Sequence, residues 1–432
     1  MIRKDFPAVG EHYFEQQLEN GLLVRVIEKP GFAKRYAFLA TNFGSIDTSF
    51  TAQGKAHRVP DGVAHYLEHK MFDLPGGNAM DRFAQTGCGN NAFTSYAMTV
   101  YYIECTDQFE ENLKTLLEMV MTPYFTPESV EKERGIIAQE IRMYDDSADN
   151  AVYENLFSAV FRHHPVRRSI AGTVESITDI TPEILYDCYR AFYAPENMML
   201  CVMGDVDAAQ VIAQASAQTP HTVPAQLPVR DYGPDEALSV VQPRSEAQME
   251  VSMPSFSIGF KCRSAPYGPE RMRRELIGDF AAELLAGEST ALYARLYDEG
   301  LIDSDFSIGY EQIKDAALLV ASGDSDDPDA VYAALLEQAG RIAQEGVDRA
   351  HLARLKKSEL GRRLRGLDGF EGTCYRMCAS YFDGAEYFDY PAVLESITAG
   401  DVELFLRETV KPSQAAISII YPKEKKEECM CF

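Results

Sequence analysis

Gly62-Val63-Ala64-His65-Tyr66-Leu67-Glu68-His69 sets two imidazoles and a carboxylate on one short arc of a helix. At ~100° per residue, His69 falls about 40° from His65 and Glu68 about 60° to the other side. Val63, Ala64, Leu67 and Met71 fall on roughly the opposite face, where a core takes them. Pro60-Asp61-Gly62 offers an acidic N-cap before Val63. Two histidines at i and i+4 can hold one Zn²⁺ at ~2.0–2.1 Å while the glutamate before the second stays free. That is the donor pattern of a hydrolytic zinc site, with the glutamate taking a proton from metal-bound water. The same five residues also suit a solvated helix edge with satisfied histidines, so a third protein ligand is the deciding feature.

Thr126-Pro127-Glu128-Ser129 opens a second long helix, with Thr as N-cap and Pro in the first turn. Val130, Ile137, Ile141 and Tyr144 form its apolar stripe. Glu133 and Glu140 share a face at the edge of that stripe, whereas Glu128 and Glu131 point to solvent. Carboxylates held against a buried edge need a positive partner, which can be a zinc ion or an arginine. Between the two helices, Asn91 to Cys105 alternates and is rich in Thr, Tyr, Phe, Val and Ile, and reads as strands.

The run from Gly62 to His69, then Asn91-Ala92-Phe93-Thr94-Ser95, then Glu133-Arg134-Gly135-Ile136-Ile137-Ala138-Gln139-Glu140 together resembles the insulinase/pitrilysin family of zinc metallopeptidases. More narrowly, it is similar to the two-domain bacterial branch related to mitochondrial processing peptidase subunits, over essentially the whole chain. The resemblance implies one Zn²⁺ per chain on His65, His69 and Glu140, with Glu68 as general base and Glu133 orienting a ligating histidine. The separation from His69 to Glu140, 140 − 69 = 71 positions, is a little short for the family and implies trimmed loops, with Asp145 and Asp146 as fallback ligands. It also implies that Asn91, Ala92, Phe93 and Thr94 form an edge strand on which a peptide substrate is added as one more strand. The other reading is an ordinary hairpin, and Asn91 is the better candidate for contact with an extended backbone. In the family an Arg and a Tyr from the second half reach the scissile region; Arg376 and Tyr381 are the candidates here, alongside their reading as a packed helix with an exposed Arg. The expected activity is that of a zinc-dependent endopeptidase hydrolysing peptides or short unfolded segments. The alternatives are a non-catalytic or partner-dependent subunit of a heterodimeric peptidase, and a zinc esterase or amidase.

At 432 residues the chain suits two domains, and 46% hydrophobic residues suffice for two cores. With 66 acidic against 41 basic residues the net charge is −25, which argues against nucleic-acid binding. An acidic inner surface that attracts basic peptides is the sharper reading of this charge, plain solubility the simpler one. The nine cysteines are odd in number and scattered, as reduced thiols in a cytoplasm are. Cys429-Met430-Cys431-Phe432 superficially matches a prenylation signal and reads as coincidence. Met1 to Pro7 has no apolar h-region, and no apolar run of ~18 residues is present, so neither a secretory signal nor a membrane span is expected.

Strands are expected at 22–27, 37–40 and 198–203, around helices at 61–73, 78–86, 107–121, 126–146, 148–163 and 181–193, an α+β grouping. Residues 219–244 turn Pro-, Gln- and Asp-rich and read as a linker between a zinc-binding domain, 1–218, and a homologous domain without the metal, 245–432. Val174-Glu175-Ser176-Ile177-Thr178 is echoed by Leu394-Glu395-Ser396-Ile397-Thr398, an offset of 396 − 176 = 220 positions, as a duplication produces. The second copy has no histidine in the corresponding stretch, 284–297. The expected architecture is therefore two duplicated layered α/β-sheet domains forming a clamshell around a peptide chamber. A heterodimer with a paralogue lacking the zinc motif, a homodimer and a monomer are all compatible with the sequence.

Overall fold

The computed structural model describes residues 1–220 and 226–423. Part of the expected linker, and Cys429 and Cys431, lie outside the described residues. Numbering only the strands of the two large sheets, the first contains β1 (Ile2–Phe6), β2 (Glu11–Gln17), β3 (Leu23–Glu28), β4 (Arg35–Thr41), β5 (Gly89–Thr94), β6 (Thr99–Cys105) and β7 (Met198–Gly204), in the spatial order β1-β2-β3-β7-β4-β6-β5. The second contains β8 (Arg244–Met249), β9 (Ser255–Lys261), β10 (Ser307–Ile313), β11 (Ala316–Asp324) and β12 (Ala415–Pro422), in the order β8-β12-β9-β11-β10. This order repeats β3-β7-β4-β6-β5 strand for strand, and the one parallel pair, β3 with β7, recurs as β8 with β12. Strands β4 and β9 begin at 35 and 255, an offset of 255 − 35 = 220, the same as that of the sequence echo. The α+β duplicated architecture read from the sequence is what the chain forms.

Helices α1 (Val63–Lys70), α2 (Ala79–Thr86), α3 (Phe109–Met121), α4 (Pro127–Asp145) and α5 (Ala148–Val160) follow the expected sites closely. Thr126 caps α4 as read, its side chain accepting from the Ser129 N–H in a capping box. Asp61 does not cap α1. The cap residue is Gly62, at φ 89°, and the Asp61 carboxylate pairs instead with Arg168 at 2.7 Å. Glycine is required there, because a Cβ would stand 2.3 Å from the Ala171 carbonyl oxygen. Strands β1 and β2 were not foreseen. Their sequences, IRKDF and EHYFEQQ, carry too many polar residues to show a buried face.

The two halves exchange helices. The helix Phe370–Phe382 of the second half packs on β7 and β4 of the first sheet, and α5 packs on β12 and β9 of the second. One continuous core therefore holds Phe38, Met199 and Cys201 together with Phe256, Cys374 and Met377. Gly259 in β9 lets α5 approach: its missing Cβ would sit 3.1 Å from Leu156. A buried ion network crosses the same seam, where Arg25 meets Glu15 at 2.7 Å and Glu386 at 3.1 Å, and Tyr13 donates to Glu386 at 2.6 Å. The connecting segment is pinned rather than free. Arg230 and Tyr232 hold Asp47 at 2.9 and 3.0 Å, and the Glu236 carboxylate accepts from the N–H groups of Arg162, His163 and His164 and from Lys261.

Candidate metal and peptide site

Helix α1 lies between the β5–β6 hairpin and α4. Val63, Ala64, Leu67 and Met71 are all buried as its periodicity requires. The Tyr66 hydroxyl donates to the Val130 carbonyl, tying α1 to the start of α4. This crossing brings His65, His69 and Glu140 together, with one donor atom from each lying within 4.8 Å of the others. His65 Nε2 is 3.6 Å from Glu140 Oε1, and His69 Nε2 is 3.4 Å from Glu140 Oε2. The remaining nitrogen of His69, Nδ1, is 3.1 Å from Glu133 Oε1. Behind Glu133 stands Lys70, 1% exposed, with its ammonium 3.8 Å from Oε2. Asp145 and Asp146 are exposed and outside the cluster.

Glu68 is buried beside these donors and accepts from the Thr94 hydroxyl at 2.6 Å. Burial raises its pKa above the ordinary glutamate range, against the lowering effect of His65 and of Thr94. Burial alone would lower that of His69, but hydrogen bonds to Glu133 and Glu140 outweigh it and raise it to about 10. Glu140 is held far below the ordinary range by His65 first and His69 second. Three carboxylates around two imidazoles thus form a pocket that favours a cation. Two imidazole nitrogens and one carboxylate oxygen, with the second nitrogen of His69 backed by Glu133, are a donor set that fits Zn²⁺.

The cluster opens on a cavity of about 610 Å³, also lined by Asn91, Phe93, Tyr96, Tyr144, Tyr153 and Glu154. Among the described residues, strand β5 is the edge of its sheet, paired only with β6. Asn91 is exposed there, and its side chain accepts from the Ala92 N–H at 2.9 Å; Ala92 and Phe93 are half-buried. The Phe93 ring also lies between those of Phe38 and Tyr375 of the second half, tilted to both, at 6.2 and 6.1 Å. From Tyr96 a further hollow of about 280 Å³ runs between the halves to Gln312 and Lys314. Neither Arg376 nor Tyr381 lines the His65 cavity. Arg376 lines another hollow with Arg363 and Asp279, 3.5 Å from the Tyr387 hydroxyl, whereas the Tyr381 ring lies against Arg25 in the seam at 5.8 Å. Tyr144 was read as core, yet it is 37% exposed and donates to Glu140 at 2.8 Å. It extends the apolar stripe by spacing alone; its hydrogen bond to Glu140 and its place in the cavity wall appear only in the fold.

Two sequence families match: "Insulinase (Peptidase family M16)" over residues 54–174 and "Peptidase M16 inactive domain" over 179–359. The uncharacterized zinc protease YmfH of Bacillus subtilis is 36% identical over 429 residues, 97% of this chain and 99% of that protein. This chain belongs to the insulinase family, peptidase family M16. A crystal structure of an M16-like peptidase from Alicyclobacillus acidocaldarius superposes with a TM-score of 0.91 at 33% identity, covering 95% of this chain and 98% of that one. A protein of Schizosaccharomyces pombe named as a mitochondrial-processing peptidase subunit beta is 28% identical over 213 residues, 48% of this chain and 45% of its own length. The insulinase-family relatives named zinc proteases assign this chain a metallopeptidase role in general terms. No helix among the described residues is long and apolar enough to cross a membrane.

Proposed function

We propose that this M16 chain is a zinc-dependent endopeptidase acting on extended peptides, with one Zn²⁺ held by His65, His69 and Glu140. The observation that carries the reading is the convergence of these three donors beside a fourth, buried carboxylate, Glu68. Zn²⁺ in such a donor set lowers the pKa of water to about 7 and polarises a carbonyl. Glu68, buried and held by Thr94, is placed to accept a proton and return it to the leaving amine. Glu133 keeps the proton of His69 on Nδ1, which leaves Nε2 free as a donor. The free edge of β5 offers backbone groups to a peptide in extended form, and Asn91 stands at its exposed face. We also propose a cytoplasmic location and a second chain, a copy or a paralogue lacking the zinc motif, over the cavity. The S. pombe relative named as a beta subunit supports that assembly. The test is metal content of the wild type and Glu140→Gln after mild chelation. One zinc per chain in the wild type and its loss in the variant is the expected result; equal zinc in both removes Glu140 from the ligand set.

A further inference from the structure

Cys88 and Cys105 close the open end of the β5–β6 hairpin. The ladder pairs Thr94 with Thr99 through to Gly89 with Glu104, and its next step sets Cys88 against Cys105. Facing positions in an antiparallel pair put their side chains on one side of the sheet, with Cα atoms ~4.5–5.5 Å apart. That spacing lies inside the range a disulfide spans, ~4.4–6.8 Å. Both side chains lie in the same apolar cluster, and each thiol is the other's hydrogen-bonding neighbour. Cys88 Sγ also reaches the Gly89 and Glu104 carbonyls, at 3.3 and 3.6 Å, so its sulfur is directed along the ladder.

The other described cysteines are different. Cys188, Cys201, Cys374 and Cys378 are fully buried, the last three in the shared core, and Cys262, as exposed as Cys88, directs its thiol to the Phe260 carbonyl at 3.2 Å. Cys88 and Cys105 keep 6% and 5% of their surface open, at the outer end of the hairpin beside the α2–β5 turn. The hydrogen bond from Cys88 first, then Asn112 and Arg35, favour the Cys105 thiolate against its burial, while Cys88 is pushed up as the protonated partner.

From this we infer that Cys88 and Cys105 are a reversible oxidation site, whose disulfide clips the edge strand β5 to β6 at the end away from Thr94. The oxidant is hydrogen peroxide. The Cys105 thiolate attacks one peroxide oxygen, the O–O bond breaks, and the departing hydroxide takes a proton from solvent and leaves as water, giving a sulfenic acid. Cys88 sulfur then attacks that sulfur, the S–OH bond breaks, and the hydroxide leaves as a second water with the Cys88 thiol proton, forming S–S. Two electrons pass from the two thiols to one peroxide, and a dithiol reductant restores them.

The test uses the full-length chain carrying Cys429→Ser and Cys431→Ser, treated with graded hydrogen peroxide, alkylated and digested without reductant. The expected result is loss of two alkylatable thiols per chain and a Cys88–Cys105 linked peptide at the lowest effective dose, reversed by dithiothreitol. Free Cys88 and Cys105 at doses that oxidise other cysteines would overturn the site. Hydrogen exchange on the oxidised chain should slow at residues 89–94; unchanged exchange with the link formed would overturn the clip. A further Cys88→Ser change should stop oxidation at mono-oxidised Cys105, and a peptide linking Cys105 to a cysteine other than Cys88, in the chain that keeps both, would refute the pairing. None of these readouts depends on zinc or peptide cleavage.

Discussion

Glu68 differs from the other carboxylates of the cluster in its neighbours. Glu133 and Glu140 face imidazole nitrogens, while Glu68 meets a neutral hydroxyl and is the most deeply buried. A Glu68→Gln side chain can still accept from Thr94 but cannot take a proton. Peptide turnover should fall by about 10²–10⁴ with zinc content unchanged, measured by kcat on a quenched peptide beside metal analysis. Glu133→Gln should instead weaken zinc binding by about 10–100-fold, read by competition with a chelator, because His69 loses its anionic backing. At this scale the sequence was legible where helical spacing alone decides. Spacing of four and of seven put His65 with His69 and Glu133 with Glu140 on shared helix faces, while the part each would play came from the family resemblance. Lys70 and Tyr144 were not legible, since a lysine one place after His69 and a tyrosine at a stripe position carry no sign of the carboxylates they meet.

Among the elements, α1 depends on its first residue. Gly62→Ala would force a side chain into a left-handed backbone conformation and against the Ala171 carbonyl. The backbone conformation alone costs roughly 1–2 kcal/mol, and the overlap adds to it. Loss of thermal stability together with weaker zinc binding is expected, because the strain lies three residues from His65; unaltered zinc affinity would show that α1 adapts without moving its histidine. The helices were read within a few residues because their apolar faces point into cores. Strands β1 and β2 escaped because an outer strand of a sheet need not alternate. Asp61 was read as a cap from its position in the chain, but Arg168, more than a hundred residues later, competes for it. Partners so distant in sequence leave no local pattern.

For the whole molecule, the seam between the halves carries the stability that local patterns cannot show. Arg25 is 4% exposed and pairs with carboxylates from both halves. Arg25→Ala should cost about 1–3 kcal/mol in urea unfolding, since the half-buried Glu386 loses its cation while Glu15 keeps Lys4 at 2.8 Å. Acid should act on the pinned connecting segment in two steps. His164 is held down to about 4 by burial, so its unfolded form binds a proton first and stability is lost as pH falls from about 6.5 to about 4. Burial would raise the pKa of Glu236, but Lys261 and three backbone N–H groups hold it down to about 2. Its contribution is present above about 4.5 and lost as pH falls toward 2. Relative to wild type, His164→Gln should flatten the pH–stability curve in the upper window and Glu236→Gln in the lower, the latter also lowering the His164 pKa further because the Glu236 charge raises it.

The helix exchange bears on how this chain is born. A ribosome finishes β7 at Gly204, but the helix that covers its Met199 and Cys201 ends at Phe382, 382 − 204 = 178 residues later. At ~5–20 residues per second, that is roughly ten to thirty-five seconds during which a nascent sheet shows an apolar face to the crowded cell. Until its covering helix is made, the emerging first half carries an apolar sheet face open to wrong contacts.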